Sequence, residues 1–140
     1  MDFDMIGPVM AMGLGCFGSS IGCAIPGMAS HGIMSRVDEG HGKFIALSAA
    51  PASQSIYGFI LMLGMRDAIR AGTLSALSGI GIGLFAGLAF MASSIFQGKC
   101  AATAIQSSAK QPGIYGKTWI SIGIIESFAL FAFVFARLLM

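Results

Sequence analysis

Apolar residues run along this chain in four long blocks, at 5–30, 44–65, 74–105 and 114–139, interrupted only by small side chains and a few isolated polar ones. About 20 helical residues cross a hydrocarbon core of roughly 30 Å, so each block is long enough to span a membrane. The pattern predicts an all-α membrane protein of four transmembrane helices joined by three short loops. No stretch remains that could fold as a separate water-soluble domain.

Composition strengthens that reading. Of 140 residues, 56% are hydrophobic and only 10% charged, and the mean hydropathy is +0.84, outside the range of a soluble domain. A net charge of +2 is too small to suggest nucleic acid. The basic residues lie at helix ends, where they meet the head groups of the lipid bilayer or a partner subunit. The N-terminus carries Asp2 and Asp4 and no Lys or Arg before the first block, so it lacks the basic start of a signal peptide and the first helix is expected to be retained. Arg36, Lys43, Lys110 and Lys117 sit in the first and third loops, against Arg66, Arg70 and Arg137 on the opposite side. This slight bias places both termini outside. Cys16, Cys23 and Cys100 fall in or near apolar helices without a pairing pattern and read as small packing residues.

Two segments, GLGCFG at 13–18 and GIGLFA at 81–86, match the dinucleotide fingerprint. That fingerprint needs a preceding strand and a following acidic residue, and both matches lie inside apolar helices, which excludes nucleotide binding. They stand 68 residues apart and suggest two related hairpins, 1–72 and 73–140. The second and fourth helices align at a separation of 74, pairing Lys43 with Lys117, Tyr57 with Phe131 and Phe59 with Phe133, which puts Ala52 in the place of Glu126. Only the second hairpin then keeps a carboxylate at that position. Small residues recur every four positions in the first helix (Ala11, Gly15, Ser19, Cys23, Gly27) and in the third (Ser75, Gly79, Gly83, Gly87). Such stripes let backbones approach closely. They fit either packing within one four-helix chain or the crowded inner surface of a circle of copies.

Glu126 is the one acidic residue within an apolar block, near the middle of the last. An unpaired charge there costs at least about 2.5–3.5 kcal/mol, so the site must supply a proton, a cation or hydrogen-bond donors. Gln97 and Glu126 are placed almost symmetrically about the turn at Gln111 and Pro112, which brings them to one depth. Ser53, Gln54 and Tyr57 share one side of the second helix at a similar depth. Pro51 has no N–H to donate, so the Leu47 carbonyl is expected to lose its helical partner and neighbouring carbonyls such as that of Ala50 can turn toward a cavity. Carboxylate, amide, hydroxyl and carbonyl oxygens together suit a small hard monovalent cation. A bare proton needs less, so the set leans toward Na+ over H+. His31, Asp38, Glu39 and His41 follow no metal-binding spacing and read as a solvated turn or a docking surface. No nucleophile–base pair is apparent.

With PASQSIYGF at 51–59, SSIFQGK at 93–99 and GIIESFALFAF at 123–133, the chain resembles, over essentially its whole length, the membrane proteolipid of rotary ATPases, in particular the duplicated four-helix type, subunit K, of V/A-type ATPases. The resemblance implies that Na+ (or H+) is held by Glu126, Gln97, Ser53, Gln54 and the carbonyl of Ala50, with Tyr57 hydrogen-bonding to the carboxylate. Phe131, rather than a tyrosine, follows Glu126 by one turn, which leaves that task to Tyr57. It further implies a closed homo-oligomeric rotor ring, turning against a stator subunit with a fixed arginine and docked on central-stalk subunits in a prokaryotic plasma membrane. The chain itself would be non-catalytic, with no organic cofactor, ATP chemistry residing on other subunits. A small secondary exporter of cations also pairs four helices with one intramembrane glutamate, but a bulky cation needs aromatic walls, and Trp119 lies more than a turn from Glu126. A purely structural four-helix protein is the third reading.

Overall fold

The computed structural model describes residues 3–140, so Asp2 lies outside the described residues. Four helices are long and apolar enough to cross a membrane: α1 (Ile6–Met34), α2 (His41–Arg70), α3 (Ala76–Lys110) and α4 (Pro112–Leu138). No strand occurs among the described residues. The helices outrun the apolar blocks because ending at the hydrocarbon boundary would strand backbone groups that one more turn satisfies. At 1.5 Å per residue α3 is about 52 Å long for its 35 residues, and its last turns stand clear of a core of roughly 30 Å.

Short turns reverse the chain between helices. Gly40 and Gly72 take φ of 81° and 75°, a left-handed conformation that costs glycine little. Ser75 caps α3 by accepting the Ser78 N–H at 3.2 Å. At the opposite end Ser30 Oγ donates to the Phe44 carbonyl at 3.0 Å and lies 2.6 Å from Ser48 Oγ, tying α1 to the start of α2.

The centre of the bundle is the parallel pair α1 and α3, which make the most extensive interhelical contact. Glycine permits it. A Cβ at Gly83 would collide with the Gly7 backbone, one at Gly18 with Met91, and one at Gly98 with Gly22. Within one chain, then, part of the small-residue stripe serves backbone-to-backbone packing. The facing residues lie close to 74 apart in sequence, so α1 and α3 stand at the same separation as α2 and α4. The offset of 68 read from the two glycine-rich motifs is thereby corrected: Gly13 and Gly81 do not meet, and neither has an atom of another residue near its Cβ direction. Periodic glycines every three or four residues allow several registers, and only the contact selects one.

α2 packs on α1 and α3, while α4 packs mainly on α3. Two apolar clusters result. Ala11, Leu61, Met65, Phe90 and Ala129 belong to one, and Phe44, Leu47, Ala101, Ile105 and Ile122 to the other. The candidate site lies between them.

Candidate ion-binding site

Pro51 shapes the α2 side of the site. The helix tightens to a 3-10 turn over Ala50–Ala52, with Pro51 buried at its centre. The Leu47 carbonyl, expected to be left free, accepts the Ala50 N–H instead; tightening the turn replaces the bond that proline cannot give. The backbone groups next to the break are held from outside. The Pro51 carbonyl accepts Ser94 Oγ at 2.7 Å, and the Ser55 N–H donates to Ser19 Oγ at 3.1 Å. Serines from α3 and α1 thus support the distortion.

From this turn the α2 side chains reach across to α3 and α4. Tyr57 Oη donates to Glu126 Oε1 at 2.7 Å, its ring flanked by Phe90 and Phe133 at centroid distances of 6.3 and 6.1 Å. Gln97 Nε2 donates to the Ile122 carbonyl at 3.2 Å and lies 3.5 Å from Glu126 Oε2. Gln54 Nε2 donates to Gln97 Oε1 at 2.9 Å and to Ser93 Oγ at 3.3 Å. Ser53 Oγ lies 3.3 Å from Gln54 Oε1 and 3.4 Å from the Ala50 carbonyl. Gln54 and Gln97 are fully buried, whereas Ser53, Tyr57 and Glu126 keep partial exposure. The site is closed toward α1 and α3 and open on the α2–α4 side.

The structure therefore brings Glu126, Gln97, Gln54, Ser53, Tyr57 and the Ala50 carbonyl into one linked cluster. Sequence reasoning did not nominate Ser93, which also donates to the Ile125 carbonyl at 3.0 Å, nor Ser19 and Ser94. Ser93 stands four residues before Gln97 on the same helix face, a usable signal; the partners of Ser19 and Ser94 lie on other helices and left none. His41 sits outside the cluster, with its Nε2 2.7 Å from the Val37 carbonyl, and among the described residues no three His, Cys, Asp or Glu side chains converge.

Chemically, the cluster offers oxygens of four kinds around one carboxylate. Hard cations with metal–oxygen distances of about 2.4 Å place neighbouring octahedral oxygens roughly 3.4 Å apart. The spacings of 3.3 and 3.4 Å around Ser53 Oγ match that requirement.

Comparison with known proteins adds a separate line of support. The family model of the ATP synthase C subunit matches the chain twice, at residues 6–65 and 80–139. Both ends of the two matches are 74 residues apart, the separation found in the α1–α3 contact. The chain is similar to the A-type ATP synthase subunit K of Methanocaldococcus jannaschii, 30% identical over 135 residues, covering 96% of this chain and 60% of that protein. It is also similar to the V-type sodium ATPase subunit K of Enterococcus hirae, 29% identical over 141 residues, covering 96% of this chain and 90% of that protein. The chain thus spans about 60% of the length of the archaeal relative and nearly all of the bacterial one.

Proposed function

Because this chain belongs to the ATP synthase C subunit family, in the duplicated form of V- and A-type ATPase proteolipids, we propose that it is the ion-carrying rotor subunit of such a machine, transporting Na+ at Glu126. It is an integral membrane protein of four helices. It carries ions and catalyses no bond change; copies form a ring that turns against a stator subunit bearing an arginine and drives, or is driven by, a central stalk. The assembly sits in a prokaryotic plasma membrane, as both named relatives come from prokaryotes. Each chain divides into hairpins 1–72 and 73–140, and only the second carries a carboxylate at mid-membrane depth, Glu126.

The observation that carries this reading is the cluster itself. Glu126 supplies one negative charge, and Ser53, Gln54, Gln97 and the Ala50 carbonyl supply neutral oxygens. Tyr57 Oη, 2.7 Å away, holds the carboxylate in place without adding charge. A loaded site is then neutral, which is what passage along lipid requires. The sodium named for the Enterococcus relative points the same way.

Labelling of Glu126 by a hydrophobic carbodiimide tests it, since the reagent needs the protonated carboxyl. At fixed mildly acidic pH, NaCl is expected to protect and KCl to leave labelling unchanged. Labelling that responds to pH alone would make the cargo a proton, with the two glutamines in a supporting role.

A further inference from the structure

Away from the ion-binding cluster, the loop between α1 and α2 and the end of α3 enclose a cavity of about 150 Å³, whose walls include Glu39, Gly40, Lys43, Phe44, Ser108 and Pro112. One wall is a buried hydroxyl in need of a partner. Ser108 is 3% exposed, and its Oγ meets no hydrogen-bonding atom among the described residues. The neighbouring Ser107 bonds back to the Thr103 carbonyl at 2.9 Å, as serines within helices commonly do, whereas Ser108 leaves that local option unused. A buried hydroxyl kept without a partner forfeits the bonds it made in water.

The other walls favour a phosphate. Gly40 starts α2 without a side-chain cap, and no acidic residue stands in the first turn, so free N–H groups and the positive end of the helix dipole stand beside the cavity that Gly40 lines. Lys43 holds its ammonium 5.6 Å from the centroid of the Tyr115 ring and forms no ion pair with Glu39, although both line the cavity. Depth adds a further argument. Lys43 precedes Gln54 by 11 residues and Ser108 follows Gln97 by 11, and the two glutamines meet at 2.9 Å. Lys43 and Ser108 therefore come to one level, about 16 Å from the glutamines at 1.5 Å per residue. With Glu126 at mid-depth, half of a hydrocarbon core of roughly 30 Å ends at about that level, so the cavity lies where lipid phosphates lie.

We propose that this cavity binds the headgroup of an ethanolamine phospholipid. The phosphate accepts hydrogen bonds from Ser108 Oγ and from the first N–H groups of α2 and is neutralised by Lys43, while the ammonium pairs with Glu39. A plain anion would set its charge against Glu39, and a plain cation would set its charge against Lys43 and the helix end. A phosphate joined to a primary ammonium satisfies every polar wall. A choline headgroup has no N–H to donate to Glu39, and a glycerol headgroup has no positive charge. The site needs only the placement of the helices in a membrane, so it stands or falls separately from the rotor reading and from the ion carried at Glu126.

The test uses the full chain in whatever assembly it forms, purified in detergent, stripped of lipid and titrated with short-chain phosphatidylethanolamine, phosphatidylglycerol or phosphatidylcholine. Native mass spectrometry counts the bound lipid. The ethanolamine lipid is expected to saturate at one per chain and to bind at least tenfold more tightly than the other two. Ser108→Ala and Lys43→Gln should each weaken it about tenfold, Lys43→Arg should retain it, and Glu39→Gln should erase the preference over phosphatidylglycerol. Equal binding of the three lipids by the unaltered chain, or unchanged binding after Ser108→Ala, would overturn the proposal. Soluble phosphoethanolamine forms a second arm: it should compete only far above the lipid concentration, and displacement at equal concentration would overturn the lipid as the source of the headgroup. Thermal unfolding provides an independent readout. The ethanolamine lipid should raise the unfolding temperature of the original chain more than that of the Lys43→Gln chain, and an equal rise in both would also refute the site.

Discussion

Glu126 and Tyr57 form the shortest of the hydrogen bonds linking the site residues to the carboxylate, at 2.7 Å. Bonds to a charged group contribute about 1.5–3 kcal/mol, so Tyr57→Phe is expected to weaken Na+ binding roughly ten- to a hundredfold, read as the NaCl concentration that half-protects Glu126 from carbodiimide. Gln97→Leu removes the amide oxygen proposed as a ligand, leaves the Gln54 amide with Ser93 Oγ at 3.3 Å as its remaining acceptor and takes the side-chain donor from the Ile122 carbonyl, and a buried polar group short of a partner costs about 1–3 kcal/mol. The same titration should show a large fall in Na+ affinity, and unchanged affinity would remove Gln97 from the ligand set. Na+ and the proton compete for one carboxylate, so half-protection should need more NaCl as pH falls. A protection curve that is flat with pH would mean that Na+ acts elsewhere.

At the scale of the helix, distortion and close approach decide the behaviour. Ser19 and Ser94 hold the backbone at either side of Pro51, and interhelical hydrogen bonds of this kind are worth about 0.6–1.7 kcal/mol in membranes. Ser94→Ala is therefore expected to lower thermal stability in detergent modestly and to loosen the Ala50–Ala52 turn, reducing Na+ affinity although Ser94 is no ligand. Stability lost without any change in affinity would separate the turn from the site. In the α1–α3 contact, Gly98→Leu would drive a side chain into the Gly22 backbone; overpacking costs typically about 1–3 kcal/mol, and backbone cannot yield as a side chain can. Gly123→Ala, at a position with nothing nearby, is the matching control and should unfold at the original temperature.

Across the whole molecule the two hairpins share a backbone plan and differ in chemistry. Ala52 stands where Glu126 would, and by the same displacement Cys23, Ser127, Phe128 and Phe131 occupy the positions that match Gln97, Ser53, Gln54 and Tyr57. Ala52→Glu would restore a carboxylate in a repeat whose matching positions carry neither the amides nor the phenol of the site. Sodium stoichiometry by equilibrium binding should stay at one ion per chain, because a charge in apolar surroundings is neutralised by a proton before it can recruit a cation. A second bound Na+ would show that the carboxylate alone makes the site.

Much of this architecture was legible from the chain alone because membranes impose simple rules. Four blocks long enough to span dictated four helices, and a lone glutamate at mid-depth marked the place where chemistry was required. Counting from the loops brought Gln97, Gln54, Ser53 and Tyr57 to its level, since rise per residue is constant along a helix. Depth is a one-dimensional quantity, and sequence reports it well. Rotation about each helix axis and the fate of individual backbone groups are set by packing between helices, which sequence reports poorly. For that reason the glycine-rich motifs suggested an offset of 68 where the contact selects 74, the Leu47 carbonyl kept a partner through a tightened turn, and Ser19 and Ser94 became visible only once α1 and α3 were brought against α2.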